Sequence, residues 1–302
     1  MNPPTRPPRP AFVLALDGEN LELLERFVAA FDMPVLGGML ARGRRGLLDP
    51  PSWTSFLTGN WFPRHGIHGF VLHDPGTRRD SLARLADVRC ETLLEALDRQ
   101  GARTLVLNMP MTWPPPRLLH GSVVSGFDTP GRESPFAWPA ALEGRIRERI
   151  PGFDASLPAR RREGGAGVSR REYLEELLQR VRWRREVLGL LLREGDPRLA
   201  VVQVQETDIL HHKAWDLLAG EGLPGGEEGR ILRALYEEVD RLAGDLRGAL
   251  GPEARGLVLS DHGGCAGRWV VQVNVLLAEW GFARPLEGAD GSLARPEEVG
   301  TG

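Results

Sequence analysis

Short apolar runs separated by long amphipathic stretches constrain the fold of this 302-residue chain more than any other feature. The runs are Ala11–Leu16, Arg103–Leu107, Ser122–Val124, Leu199–Gln205 and Gly256–Leu259. Between them, Leu21–Ala30, Cys90–Gln100, Pro139–Arg149, Arg170–Arg193, Glu227–Leu250 and Gln272–Trp280 have the period and length of helices. This alternation is the sequence form of a mostly parallel sheet with helices on both faces, so the expected class is α/β. Met109–Pro116, with four prolines after a strand, reads as an irregular connection, and Arg160–Val168 as a mobile surface loop. No internal repeat or dividing linker is visible. The expected organisation is therefore a single domain over 1–302, with 1–10 and 286–302 loosely ordered.

Charge narrows the partners. The chain carries 38 basic and 41 acidic side chains, a net charge of −3, and so lacks a global basic field for nucleic acid or an anionic membrane. Cys90 and Cys265 are too few and too far apart for a disulfide framework or a thiolate metal cluster, which favours a reducing, cytoplasmic location. Met1–Pro10 is proline-rich without an apolar core, and the first apolar run stops at Asp17, so nothing here reads as a signal peptide or membrane span.

Three strand-like runs end in aspartate: Leu14–Gly18 at Asp17, Gln203–Asp208 at Asp208, and Val258–Gly263 at Asp261. In an open parallel sheet the carboxyl ends of strands line one edge, where ligands bind. Three carboxylates meeting there repel one another unless cations or protons neutralise them. Asp208 and His212 are four apart and share a face if a helix starts at the strand end, whereas His211 then points about 100° away. His262 follows Asp261 at a turn. Carboxylate plus imidazole is a ligand set for Zn²⁺, and Mn²⁺ accepts it too. Singly, Asp-Gly reads as a turn or cap and Asp208 with His212 as a plain helix start; together, at three strand ends, they point to a metal centre. Asp49–Gly59 adds a short helix over Ser52–Thr58 whose N-terminal N–H groups could face an anion, or whose Ser and Thr are merely caps.

These residues resemble the alkaline phosphatase superfamily in its branch of type I phosphodiesterase/nucleotide pyrophosphatase-like proteins. The resemblance runs from about Phe12 to Phe282, through Leu16–Gly18, Trp53–Gly59, Pro63–Ile67, Asn108–Trp113, Ser125–Pro130, Glu206–His212 and Ser260–Gly263. It implies an alkaline-phosphatase-like sheet, here lacking its C-terminal part, and two divalent metals, zinc or manganese, around a small phosphorylated substrate. One metal would take Asp17, Asp261 and His262; the other would take Asp208, His212 and a third ligand, usually a histidine far along the chain.

Two positions depart from the family. Its Ser or Thr nucleophile lies ten residues before the Gly of Leu-Thr-Gly, which here is Asp49, a carboxylate that cannot form an alkoxide. Ser52 and Thr54 are nearby hydroxyls, displaced by several ångströms along the helix start. No histidine follows His262, so either the chain is truncated or the third ligand falls to His65, His68, His73 or a water, although His65 and His68 read more readily as structural. The sulfatase pattern is missing, and the glycine-rich stretches match neither a P-loop nor a dinucleotide fingerprint. The expected function is a metal-dependent phosphate mono- or diester hydrolase using a metal-activated water. The alternative is a catalytically impaired relative serving as a binding or scaffold module. Oligomeric state is open.

Overall fold

The structure is a computed structural model describing residues 9–46, 53–74, 76–77, 79–157, 168–220, 222–267 and 271–282. In chain order the elements are β1 (Ala11–Leu16), α1 (Leu21–Ala30), α2 (Pro34–Arg42), α3 (Trp53–Thr58), α4 (Phe62–His65), β2 (Val71–Asp74), β3 (Arg79–Leu82), α5 (Leu93–Arg99) and β4 (Thr104–Met109). There follow β5 (Gly121–Ser125), β6 (Ala137–Trp138), α6 (Ala140–Arg149), α7 (Arg170–Leu192), β7 (Leu199–Val204), α8 (Glu206–Ala219), α9 (Gly226–Leu250), β8 (Arg255–Leu259) and α10 (Val273–Glu279).

The main sheet has the order β6-β5-β4-β7-β1-β8, parallel throughout except for β6, which pairs antiparallel with β5. Its central strands β4 and β7 are buried at every position, as expected of strands covered on both faces. Side chains of β1 alternate between two apolar layers. Phe12, Leu14 and Leu16 join the layer that includes Phe27, Leu36, Leu177, Val187, Tyr236 and Leu242 from α1, α2, α7 and α9. Val13 and Ala15 face the other layer, with Trp53, Leu57 and Leu94 from α3 and α5. The α/β reading with helices on both faces therefore holds, and all five expected strands are present within two residues of their expected ends.

Helix α2, the one-turn α4, the β2–β3 hairpin and β6 were not anticipated. Helix α2 has Pro34 at its first position and Gly37-Gly38 inside, a pair that weakens the helical pattern in sequence. Its reason is packing: a Cβ on Gly37 would stand 3.0 Å from Val28 of α1. The β2–β3 hairpin is mostly exposed, so no buried face imposes a period of two on it. Strand β6 has two residues, too short to show any period.

Backbone contacts divide the chain into a unit ending at Gly264, which contains both sheets, and a unit from Cys265, which contains α10. Residues 1–8, 160–167 and 286–302, expected to be loose or mobile, lie outside the described residues. Among the described residues no helix is long and apolar enough to cross a membrane.

Candidate active site

Strands β7, β1 and β8 are consecutive neighbours, about 4.8 Å apart, so their carboxyl ends deliver three aspartates to one place. Asp17 follows β1, Asp261 stands two residues past β8, and Asp208 lies in the first turn of α8. His262 Nε2 stands among them, 3.8 Å from Asp17 Oδ1, 3.9 Å from Asp208 Oδ1 and 3.6 Å from Asp261 Oδ2. His212 Nε2, on the outer side, is 3.5 Å from the same Asp208 Oδ1. All five residues singled out as ligands thus converge. Donor atoms of Asp17, Asp261 and His262 lie within 4.8 Å of one another, a spacing that a single ion can span.

Each carboxylate is aimed by protein donors on its other oxygen. Asp17 Oδ2 accepts from Trp53 Nε1 at 2.9 Å and Gln203 Nε2 at 2.6 Å. Asp261 Oδ1 accepts from the Gly18 N–H at 3.1 Å, and Asp208 Oδ2 from Gln205 Nε2 at 3.5 Å. Gln203 also donates to Gln205 Oε1 at 2.8 Å and accepts from Asn108 Nδ2, forming a buried amide chain beneath the site. Asn108, the penultimate residue of β4, lies in the left-handed region, φ 63°, a conformation uncommon outside glycine. Gly18, at φ 62°, lets the backbone pass under Asp208, because a Cβ there would meet Asp208 Oδ1 at 2.8 Å. Trp53, Asn108, Gln203 and Gln205 were not identified as site residues from sequence. A usable signal was Gln203 and Gln205, two apart and so on one face of an otherwise apolar run.

The start of α8 is fastened from behind. Glu206, fully buried, makes a bidentate pair with buried Arg184 of α7, and Thr207 Oγ1 donates to the Asp17 carbonyl at 2.6 Å. Four residues on, His211 is buried with its ring edge-on to Trp215, and neither ring nitrogen has a hydrogen-bond partner. Its Nε2 stands 3.8 Å from Glu19, whose carboxylate accepts from the Tyr236 hydroxyl at 2.8 Å.

Crowded negative charge marks the electrostatics. Burial first, then Asp261 and Asp208, push the Asp17 carboxyl up to about 7, against the pull of Trp53 and Gln203. Burial likewise raises Glu19 to about 7 and lowers His211 to about 4. At His262 burial opposes the imidazolium, but Asp261, the Gly263 carbonyl, Asp17 and Asp208 outweigh it and raise its pKa. Oxygen and imidazole donors gathered around excess negative charge fit a divalent cation.

A sign follows for stability. The folded chain retains protons on Asp17 and Glu19 up to about pH 7, whereas the unfolded chain releases them near the ordinary values of 3.8 and 4.5. Their contribution is fully present below the unfolded values and is lost as pH rises through about 7. We expect EDTA-treated protein to melt lower at about pH 8 than at about pH 5.5, and saturating Zn²⁺ or Mn²⁺ to reverse most of that drop. Thermal melts by circular dichroism check this; an EDTA-treated protein that gains stability over that interval contradicts it.

Other expected participants have different fates. Asp49 and Ser52 lie outside the described residues; α3 begins at Trp53, and Thr54 is buried with its hydroxyl on Met111 Sδ. His65 is fully buried, its Nδ1 accepting from the Ile67 N–H at 3.2 Å and its Nε2 2.9 Å from Ser55 Oγ, so both nitrogens have structural partners. His68 rests on Phe62, and His73 pairs with Asp80 across the hairpin. The rings of Phe70 and Phe127 meet edge-on, 5.7 Å apart. Trp138 packs into the core with its indole on the Leu118 carbonyl, while Trp113 donates to the Pro135 carbonyl beneath Arg84.

The fold has relatives among solved structures. Phosphonoacetate hydrolase from Sinorhizobium meliloti 1021 in complex with phosphonoacetate is 22% identical with a TM-score of 0.55, over 91% of this chain and 62% of that one. The same enzyme in complex with phosphonoformate is 20% identical, TM-score 0.56, over 95% of this chain and 65% of that one. The alkaline phosphatase PafA is 14% identical, TM-score 0.50, over 85% and 63%. This chain therefore spans less than two thirds of the length of each. No curated protein matches the sequence. The mostly parallel sheet, the ligand-type residues at its carboxyl edge and the match of residues 11–294 to one family agree: the chain belongs to the type I phosphodiesterase / nucleotide pyrophosphatase family.

Proposed function

We propose that the chain is a metal-dependent hydrolase of phosphate mono- or diesters. The observation that carries this is the arrangement around His262, where three aspartates hold one oxygen each on a protein donor and turn the other inward. Asp17, Asp261 and His262 would hold one divalent ion and Asp208 with His212 a second, with Zn²⁺ favoured and Mn²⁺ the alternative. When bound, such a pair offsets charge on phosphoryl oxygens and acidifies water.

The chain's own residues would supply position. Trp53 and Gln203 keep Asp17 from rotating, the Gly18 N–H does the same for Asp261, and Arg184 with Thr207 fixes the helix start that carries Asp208. Asp49, at the family's nucleophile position, would leave the attack on phosphorus to water and contribute as a ligand or an orienting carboxylate; Ser52, three residues on in sequence, would offer a hydroxyl. The substrate is read as a small phosphorylated molecule, and the two free thiols support a reducing, cytoplasmic setting.

The test uses p-nitrophenyl phosphate and its bis-ester on EDTA-treated protein refilled with Zn²⁺ or Mn²⁺. Metal-dependent turnover by the wild type is expected. An inert wild type with activity appearing in Asp49→Thr would sink the water nucleophile, and an inert pair of proteins would sink the hydrolase reading.

A further inference from the structure

Asp261 and His262 sit on an exposed loop after an edge strand, and what holds that loop is a side chain 241 residues earlier than its neighbour Asp261 in sequence. Asn20 makes a two-way pair with the backbone of Gly264: its Nδ2 donates to the Gly264 carbonyl at 2.7 Å, and the Gly264 N–H donates to its Oδ1 at 2.9 Å. Two more bonds run in parallel. The Glu19 N–H donates to Ser260 Oγ at 2.8 Å, and Ser260 Oγ in turn donates to the His262 carbonyl at 2.6 Å. With Gly18 on Asp261, residues 18–20 are stitched to residues 260–264 at each step.

Two independent features show that this contact is built. Asn20 is the N-cap of α1 and of a residue type that normally caps, yet its side chain makes no cap hydrogen bond and is turned to the loop instead. The loop side is shaped to receive it: a Cβ on Gly263 would collide with Asn20 Oδ1, and one on Gly264 would collide with the buried ring of His211. The backbone can therefore lie this close only as glycine at both positions.

We propose that Asn20 is a positioning residue for the metal centre, clamping the 260–264 loop so that Asp261 and His262 are aimed before a cation arrives. The inference rests on the metal reading above. Residues that orient ligands in this way typically change metal affinity about 10–100-fold when removed.

Asn20→Ser separates the clamp from the helix cap, because serine caps well but is too short to reach Gly264. Asn20→Ala removes the clamp and offers no cap in its place. Calorimetric titration of Zn²⁺ and Mn²⁺ into EDTA-treated protein should show affinity weakened about 10–100-fold in both variants, with the melting temperature of Asn20→Ser at or above wild type. Amide exchange of EDTA-treated protein gives a readout free of metal: Gly264 should exchange faster in Asn20→Ser than in wild type. Unchanged Gly264 exchange overturns the clamp, as does wild-type metal affinity in Asn20→Ser. A wild type that binds neither ion overturns the metal reading, and with it the purpose of the clamp, even where the exchange result stands.

Discussion

Arg184→Ala should cost about 3–5 kcal/mol of folding stability, because it leaves the Glu206 carboxylate buried without its counter-charge. The guanidinium is 5% exposed and the carboxylate 1%, so water cannot replace the lost partner without opening the packing of α7 against α8. That is a large share of the roughly 5–15 kcal/mol that holds a domain together. Glu206→Ala should be similarly costly, since it strands the guanidinium. The double variant Arg184→Met, Glu206→Leu should recover most of the loss, because burying two ions has its own desolvation cost. Urea unfolding of the three variants checks this; single variants within about 1 kcal/mol of wild type would show that the pair does not fasten the helix. Because Glu206 is two residues before Asp208, the single variants should also weaken metal binding.

Asp261→Asn should abolish tight metal binding and reduce hydrolysis by about 10³-fold or more, equivalent to about 4 kcal/mol of transition-state stabilisation. The amide can still accept the Gly18 N–H through its oxygen, so the loop keeps its anchor while the inward oxygen becomes an NH₂. A second effect has the opposite sign. In EDTA-treated protein the substitution removes the largest like-charge contribution raising the Asp17 pKa, so the variant should melt higher than wild type at about pH 8. Loss of metal binding together with a gain in metal-free stability separates a ligand from a residue that merely holds the fold. Destabilisation of the metal-free variant would argue for the latter.

Much of this was legible in the sequence because it follows from spacing. Five parallel strands and six helices announce themselves by apolar period, and a parallel sheet puts Asp17, Asp208 and Asp261 on one edge wherever the strands fall in order. His212 followed from its four-residue offset to Asp208. What could not be read was set by partners distant in sequence. Gln203 sits in a strand and donates to a residue 186 positions away, so nothing local distinguishes it from a tolerated polar residue. Asn20 looks like an ordinary cap, and only the loop near Gly264 shows what it does. His211 was expected to turn away from the ligands and does, into a buried position beside Glu19 and Trp215 that no local pattern signals. Fold can be inferred from periodicity, but the orientation of ligands depends on pairings that periodicity does not encode.

Strand β8 closes the main sheet on one side, pairs only with β1 among the described strands, and exposes Leu257 at 47%. An outermost strand opens more cheaply than a central one, and here it leads directly into Asp261 and His262, while Asp17 and Asp208 follow inner strands. On the proposed metal centre, ion capture and the melting of this strand are therefore thermodynamically linked. The apparent dissociation constant for such an ion equals the intrinsic one divided by the fraction of molecules in which the strand is in place. Conditions that loosen the sheet margin, such as mild denaturant or warming, should release the ion well before the interior gives way, making cation occupancy a local thermometer for one side of the sheet.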